Sequence, residues 1–167
     1  MLPNNPIPFS SRVKELFIDW LVISAYLISL LGVSLAVYYL VFGGVPMFSE
    51  LTSQMIATFA SVVPIVFLFS YLDYHGGSIG KRTAKLKLHF AKRTFRHSLL
   101  RNTIKFLPWQ IGHIGAIRGI YQNYDVPSLI LQWIAIVLLI LMLATGFLSK
   151  DKRHLGDRIA GTQVQLR

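Results

Sequence analysis

The chain contains no cysteine. No disulfide, no thiolate nucleophile and no cysteine-bound metal is therefore possible. Charge is also scarce: 14% of the 167 residues are Asp, Glu, Lys or Arg, against about 25% in an average soluble domain. Acids are the rarest class, seven against 17 Lys and Arg, for a net charge of +10. In a soluble protein that balance would suggest nucleic acid. Here the basic residues flank apolar runs, so the expected partners are the bilayer and its anionic lipid headgroups, with no nucleic acid.

What the chain has in excess is long apolar sequence, 53% hydrophobic residues in all. Runs above about 18 apolar residues indicate membrane spans. Clear spans cover about residues 17–42, 51–72 and 127–148. Pro64 in the second should kink it, which neighbouring helices tolerate. The N-terminus has no early positive region and no small-residue cleavage site, so the first span is expected to be retained.

The stretch 98–120, "SLLRNTIKFLPWQIGHIGAIRGI", is ambiguous because it carries Arg101, Lys105, His113 and Arg118. Nine Lys or Arg residues lie between Asp73 and Lys105 and five in the tail, while "GGVPMFSE" and "YQNYDVPS" hold none. Positive loops stay cytoplasmic. Only a crossing at 98–120 places every basic segment inside. The expected fold is thus an all-α, four-span bundle in a single domain, with a short polar third span and both termini cytoplasmic. Residues 73–97 form a cytoplasmic loop and 149–167 a cytoplasmic tail. The rival arrangement lays 98–120 in the membrane plane and leaves three spans.

"KRTAKLKLHF" and "GTQVQLR" both alternate with period two, the pattern of half-buried strands. An isolated strand leaves backbone groups unpaired, so the two are expected to pair in a small cytoplasmic β element. The alternative is two disordered basic segments at the lipid surface. The preceding "GGSIGK" superficially matches a phosphate-binding loop. Its spacing is too short, and Arg82 follows Lys81 where Ser or Thr is required. A tight turn fits better.

Arg12 and Asp19 are seven residues apart and share a helix face, with Asp19 about 10 Å deeper. An acid near hydrocarbon needs pairing or hydration; Arg12, Arg101 and Lys105 are the candidate partners. Asp19 either caps a polar pocket or binds a cation or proton, with Asp73 joining it and His113 a further titratable candidate. No H-E-x-x-H, no G-x-S-x-G and no usefully spaced carboxylate pair appears. Neither catalysis nor a cofactor or metal is expected.

Arg12 and Asp19 at the first span, Gly77, Gly80 and Lys81 before "LKL", and the terminal "RHLGDRIAGTQV" with Asp157, Gly161 and Thr162 together resemble the RDD family of small bacterial and archaeal membrane proteins. The resemblance implies that Arg12, Asp19 and Asp157 are the arginine and two aspartates of the family name. It also implies an inner-membrane location. For activity it implies either an accessory or scaffold subunit of a larger membrane assembly, working with a protein partner or as a homo-oligomer, or a cation/proton (sodium/proton-type) antiporter or other small-solute transporter acting as an oligomer.

Overall fold

The computed structural model describes residues 1–167. Helix α1, Phe9–Phe42, has 34 residues, a length of about 51 Å at 1.5 Å per residue. That exceeds the ~30 Å hydrocarbon core. The helix starts eight residues before the expected span because Arg12, Glu15 and Asp19 are buried on one face of its first turns. Beyond them, none of its most apolar 18-residue stretch is buried.

The second helical stretch comprises α2 (Glu50–Ile56), a π-helical segment (Ala57–Val62) and α3 (Val63–Tyr74). The expected disturbance at Pro64 takes the form of this wide turn. Proline has no N–H to offer the carbonyl four residues earlier, Ala60. That carbonyl instead accepts a hydrogen bond from the Tyr26 hydroxyl at 2.6 Å. A neighbouring helix thus satisfies the group that proline frees.

After a turn through Gly76 and Gly77, both at positive φ, short helix α4 (Ile79–Thr83) leads into β1 (Leu86–Phe90). Helix α5 (Phe95–Tyr121) continues through Pro108, and α6 (Val126–Leu148) returns beside it. Small residues let α5 and α6 approach closely: a Cβ on Gly115 would sit 3.0 Å from the Ser128 carbonyl. Short helix α7 (Leu155–Ile159) and β2 (Thr162–Leu166) end the chain.

β1 and β2 pair antiparallel, with Leu86 opposite Leu166, Leu88 opposite Val164 and Phe90 opposite Thr162. The expected strand pairing is present. Leu86, Leu88, Val164 and Ala84 form a small core. Ile7 completes it, and here the N-terminal segment takes a part that its irregular sequence does not announce. Asn5 Nδ2 donates to the Val164 carbonyl at 2.5 Å, and the Asn5 amide donates to the Lys150 carbonyl at 3.0 Å. The Leu2 amide donates to Gln163 Oε1, and Gln163 Nε2 returns a bond to the Leu2 carbonyl.

Both termini and the 75–94 connection therefore meet at one end of the bundle, the basic end. The two connections without Lys or Arg meet at the other. There Tyr121 Oη donates to the Phe48 carbonyl and Gln122 donates to Glu50. Three stretches are long and apolar enough to cross a membrane: Phe9–Phe42, Glu50–Thr83 (which includes the turn after Tyr74) and Val126–Leu148.

Candidate functional site: a buried charge network at the basic end

Four of the seven acids, Glu15, Asp19, Asp73 and Asp157, are buried together with Arg12, Lys81 and Arg101 at the basic end of the bundle. They arrive on five elements, with Arg12 on α1. Glu15 and Asp19 share a face of α1, Asp73 ends α3, Lys81 lies on α4, Arg101 on α5 and Asp157 on α7.

Asp73 is the hub and is fully buried. Its Oδ1 meets Lys81 Nζ at 2.9 Å and accepts the Ser78 amide at 3.1 Å. Its Oδ2 accepts Arg101 Nη1 at 2.7 Å and Asn102 Nδ2 at 3.2 Å. Lys81 also reaches Glu15 at 3.3 Å, and Glu15 accepts Arg12 Nη1 at 2.7 Å. From the other side, Arg101 Nε donates to Asp157 Oδ1 at 2.6 Å. One chain of ion pairs thus runs Arg12, Glu15, Lys81, Asp73, Arg101, Asp157.

Asp19 stands apart from that chain. None of the cations considered as partners pairs with it. Its Oδ2 accepts the Ser78 hydroxyl at 2.7 Å and its Oδ1 the Gly80 amide at 2.8 Å. This contact explains why glycine occupies position 80. A Cβ there would lie 2.2 Å from the Glu15 carbonyl oxygen and 2.6 Å from Asp19 Oδ1. The "GGSIGK" stretch is thus a turn that docks on α1, its Gly77 at φ 118°.

Asp157 also fixes the tail locally. The α7 N-terminus carries a capping box: His154 Nδ1 accepts the Asp157 amide, and Asp157 Oδ2 accepts the His154 amide, both at 3.3 Å. His154 Nε2 lies 3.2 Å from Arg101 Nη2 and 3.3 Å from Asp157 Oδ2. The Thr162 hydroxyl adds a bond to Asp157 Oδ1 at 2.9 Å. Gly161, at φ 61°, turns the chain from α7 into β2. Burial opposes the charge on Asp157, but Arg101, His154 and Arg12 together outweigh it and hold the carboxyl well below the usual range. Burial pushes His154 down to about 3.

The network gathers Arg12, Asp19, Asp73, Gly77, Gly80, Lys81, Asp157, Gly161 and Thr162. It does not include His113, which lies 12 residues beyond Arg101 on α5, about 18 Å along the helix. His113 Nε2 accepts a bond from Trp109 Nε1 at 3.1 Å. The sequence reading missed Glu15 and His154, and gave Arg101 only a secondary part. Glu15 had a signal: it falls three residues after Arg12 and four before Asp19, on the same helix face. No group of three or more His, Asp or Glu side chains is placed to hold a metal ion.

No curated protein and no solved structure matches the chain. The RDD family model matches residues 8–161, a range that contains every charged residue of the network. The chain belongs to the RDD family.

Proposed function

We propose that this RDD-family membrane protein is an accessory or scaffold subunit of a larger assembly in the bacterial inner membrane. It crosses four times with both termini in the cytoplasm. α5 supports the fourth crossing: it lies against α3 and α6, and Phe106–Ile117 between its charged ends holds no charged residue. The positive-inside rule then places the basic end inside.

The observation that carries the subunit reading is the unpartnered half of α1. Ala25, Ser29, Gly32 and Ala36 are spaced 4-3-4 along it and all are exposed. Such a stripe of small residues lets a second transmembrane helix approach closely, and Gly32 has no atom within 4 Å of where a Cβ would stand. The partner is another membrane protein or a second copy of this chain. Meanwhile Arg12, Asp19 and Asp157 are each engaged inside the chain, with Glu15, with Ser78 and Gly80, and with Arg101. Purification in mild detergent tests the proposal. A companion protein or homo-oligomer should be recovered, and Gly32→Leu should release it with the fold intact. A lone monomer, unaffected by Gly32→Leu, overturns it.

A second reading, a cation/proton antiporter acting as an oligomer, is favoured by one observation: Asp19 has no cationic partner and lines a cavity together with Lys105. Everted vesicles test it. Sodium- or potassium-dependent proton exchange that disappears in Asp19→Asn supports the antiporter; exchange that survives the substitution removes its central residue.

A further inference from the structure

A cavity of about 590 Å³ lies between α1 on one side and α5 and α6 on the other. That volume is typical of small-ligand sites. Its walls are mostly apolar, including Leu16, Ile23 and Leu27 of α1 and Leu139 and Met142 of α6. Polar groups gather at the basic end, where Arg12, Asp19, Lys105 and His154 line it. At that end Phe9 meets Phe147, ring centroids 5.1 Å apart, and joins α1 to α6.

The polar groups differ in what they still need. Both Asp19 oxygens already accept hydrogen bonds, and His154 is held in its capping box. Arg12, 6% exposed, spends only Nη1, on Glu15, and its buried Nε has no partner. Lys105 forms no salt bridge; its ammonium sits over Phe69 and Phe106, 4.9 and 5.2 Å from the ring centroids. An ammonium at the head of an apolar slot is costly without a counter-anion. Two under-satisfied cations at the head of an apolar slot complement a molecule with an anionic head and a hydrocarbon tail.

We propose that this cavity binds one anionic phospholipid of the cytoplasmic leaflet, its phosphate between Arg12 and Lys105 and an acyl chain along α1 and α6. The leaflet rests on the orientation proposed above. The binding itself does not, so a test in detergent separates failure of the site from failure of the topology or of the subunit reading.

Native mass spectrometry of the detergent-purified full chain, offered equal phosphatidylglycerol and phosphatidylcholine with identical acyl chains, reads the site directly. The wild type should retain one phosphatidylglycerol per chain in preference to phosphatidylcholine. Lys105→Gln should lower that retention about tenfold, the effect of losing one charge-assisted hydrogen bond, without changing phosphatidylcholine. Gly146→Leu, whose added carbon meets Arg12 and His154 at ordinary 3.7 Å contacts, should obstruct the head of the cavity with the same result. Excess inorganic phosphate should leave the lipid in place, because the acyl chain contributes to binding. Equal retention of the two lipids by the wild type overturns the proposal whether or not either variant folds. So does an unchanged preference in folded Lys105→Gln, displacement by phosphate alone, or a partner protein's helix found in the cavity.

Discussion

Arg101 and Asp157 are separated by 56 residues and joined at 2.6 Å. The guanidinium stands on a bundle helix and the carboxylate lies in the first turn of the five-residue α7 that precedes the last strand. This contact turns a charged tail into part of the fold. Buried ion pairs contribute little net stability, but removing one partner strands the other and costs about 3–5 kcal/mol. The network thus fixes one arrangement of the basic end more than it strengthens the molecule.

The Asp73 hub makes the same argument testable from the bundle side. Asp73→Asn leaves Lys81 and Arg101 facing each other across a neutral amide. Thermal unfolding in detergent should show a loss on the order of 3 kcal/mol or more. Asp151→Asn, at the exposed Arg158 pair with a distance of 3.4 Å, should cost at most about 1 kcal/mol.

Gly80→Ala should be far more damaging than a surface glycine substitution. Its Cβ would meet the Glu15 backbone carbonyl first and the Asp19 carboxylate next, so α4 must move away from α1 and the Asp19 bonds must lengthen. A loss of about 1–3 kcal/mol or more is expected from such overpacking. Gly44→Ala, with nothing within 4 Å, should leave the unfolding temperature unchanged.

His154 gives the tail an acid sensitivity. Its folded-state pKa, about 3, lies below the ordinary 6.5. The unfolded chain therefore binds the proton first as pH falls. The stability associated with neutral burial is full above pH 6.5 and is lost toward pH 3, by up to about 1.4 kcal/mol per pH unit. Asp157, also depressed, adds its own loss only below the ordinary carboxylate range. His154→Asn can still cap α7 but does not titrate. Unfolding temperatures measured from pH 7 to 4.5 should fall more steeply for the wild type than for this variant.

The four-crossing arrangement can be read by labelling, because the chain has no native cysteine. Met47→Cys and Asn123→Cys, one in each connection without Lys or Arg, should react with an impermeant maleimide from outside intact cells. Lys92→Cys should react only after the membrane is opened. Labelling of Asn123→Cys and Met47→Cys on opposite sides would leave 98–120 in the membrane plane.

Much of this architecture was legible in the sequence. Three apolar runs announced helices, and alternation in "LKLHF" and "TQVQL" announced strands that had only each other to pair with. The third long helix was legible only through the charges around it, because Arg101 and Lys105 depress its hydropathy while serving the interior. The individual ion partners were not legible. Arg12 and Asp19 share a face of α1, yet Arg12 turns to Glu15, and Asp19 takes a hydroxyl and a backbone amide from the glycine turn. Helix periodicity identifies a shared face; which neighbour fills it depends on how α4 docks. Nor did alternation or apolar periodicity mark residues 1–8, whose role against β2 rests on Asn5, Ile7 and the Leu2 backbone.

The central claim is that Asp157 and Arg101 lock the tail strand under the bundle. Amide hydrogen exchange across Thr162–Leu166 tests it most directly, in the wild type and in Asp157→Asn. The wild-type strand should exchange slowly, as an antiparallel partner of Leu86–Phe90. In Asp157→Asn it should lose that protection while α5 and α6 keep theirs. Protection of the strand unchanged by the substitution would contradict the clasp.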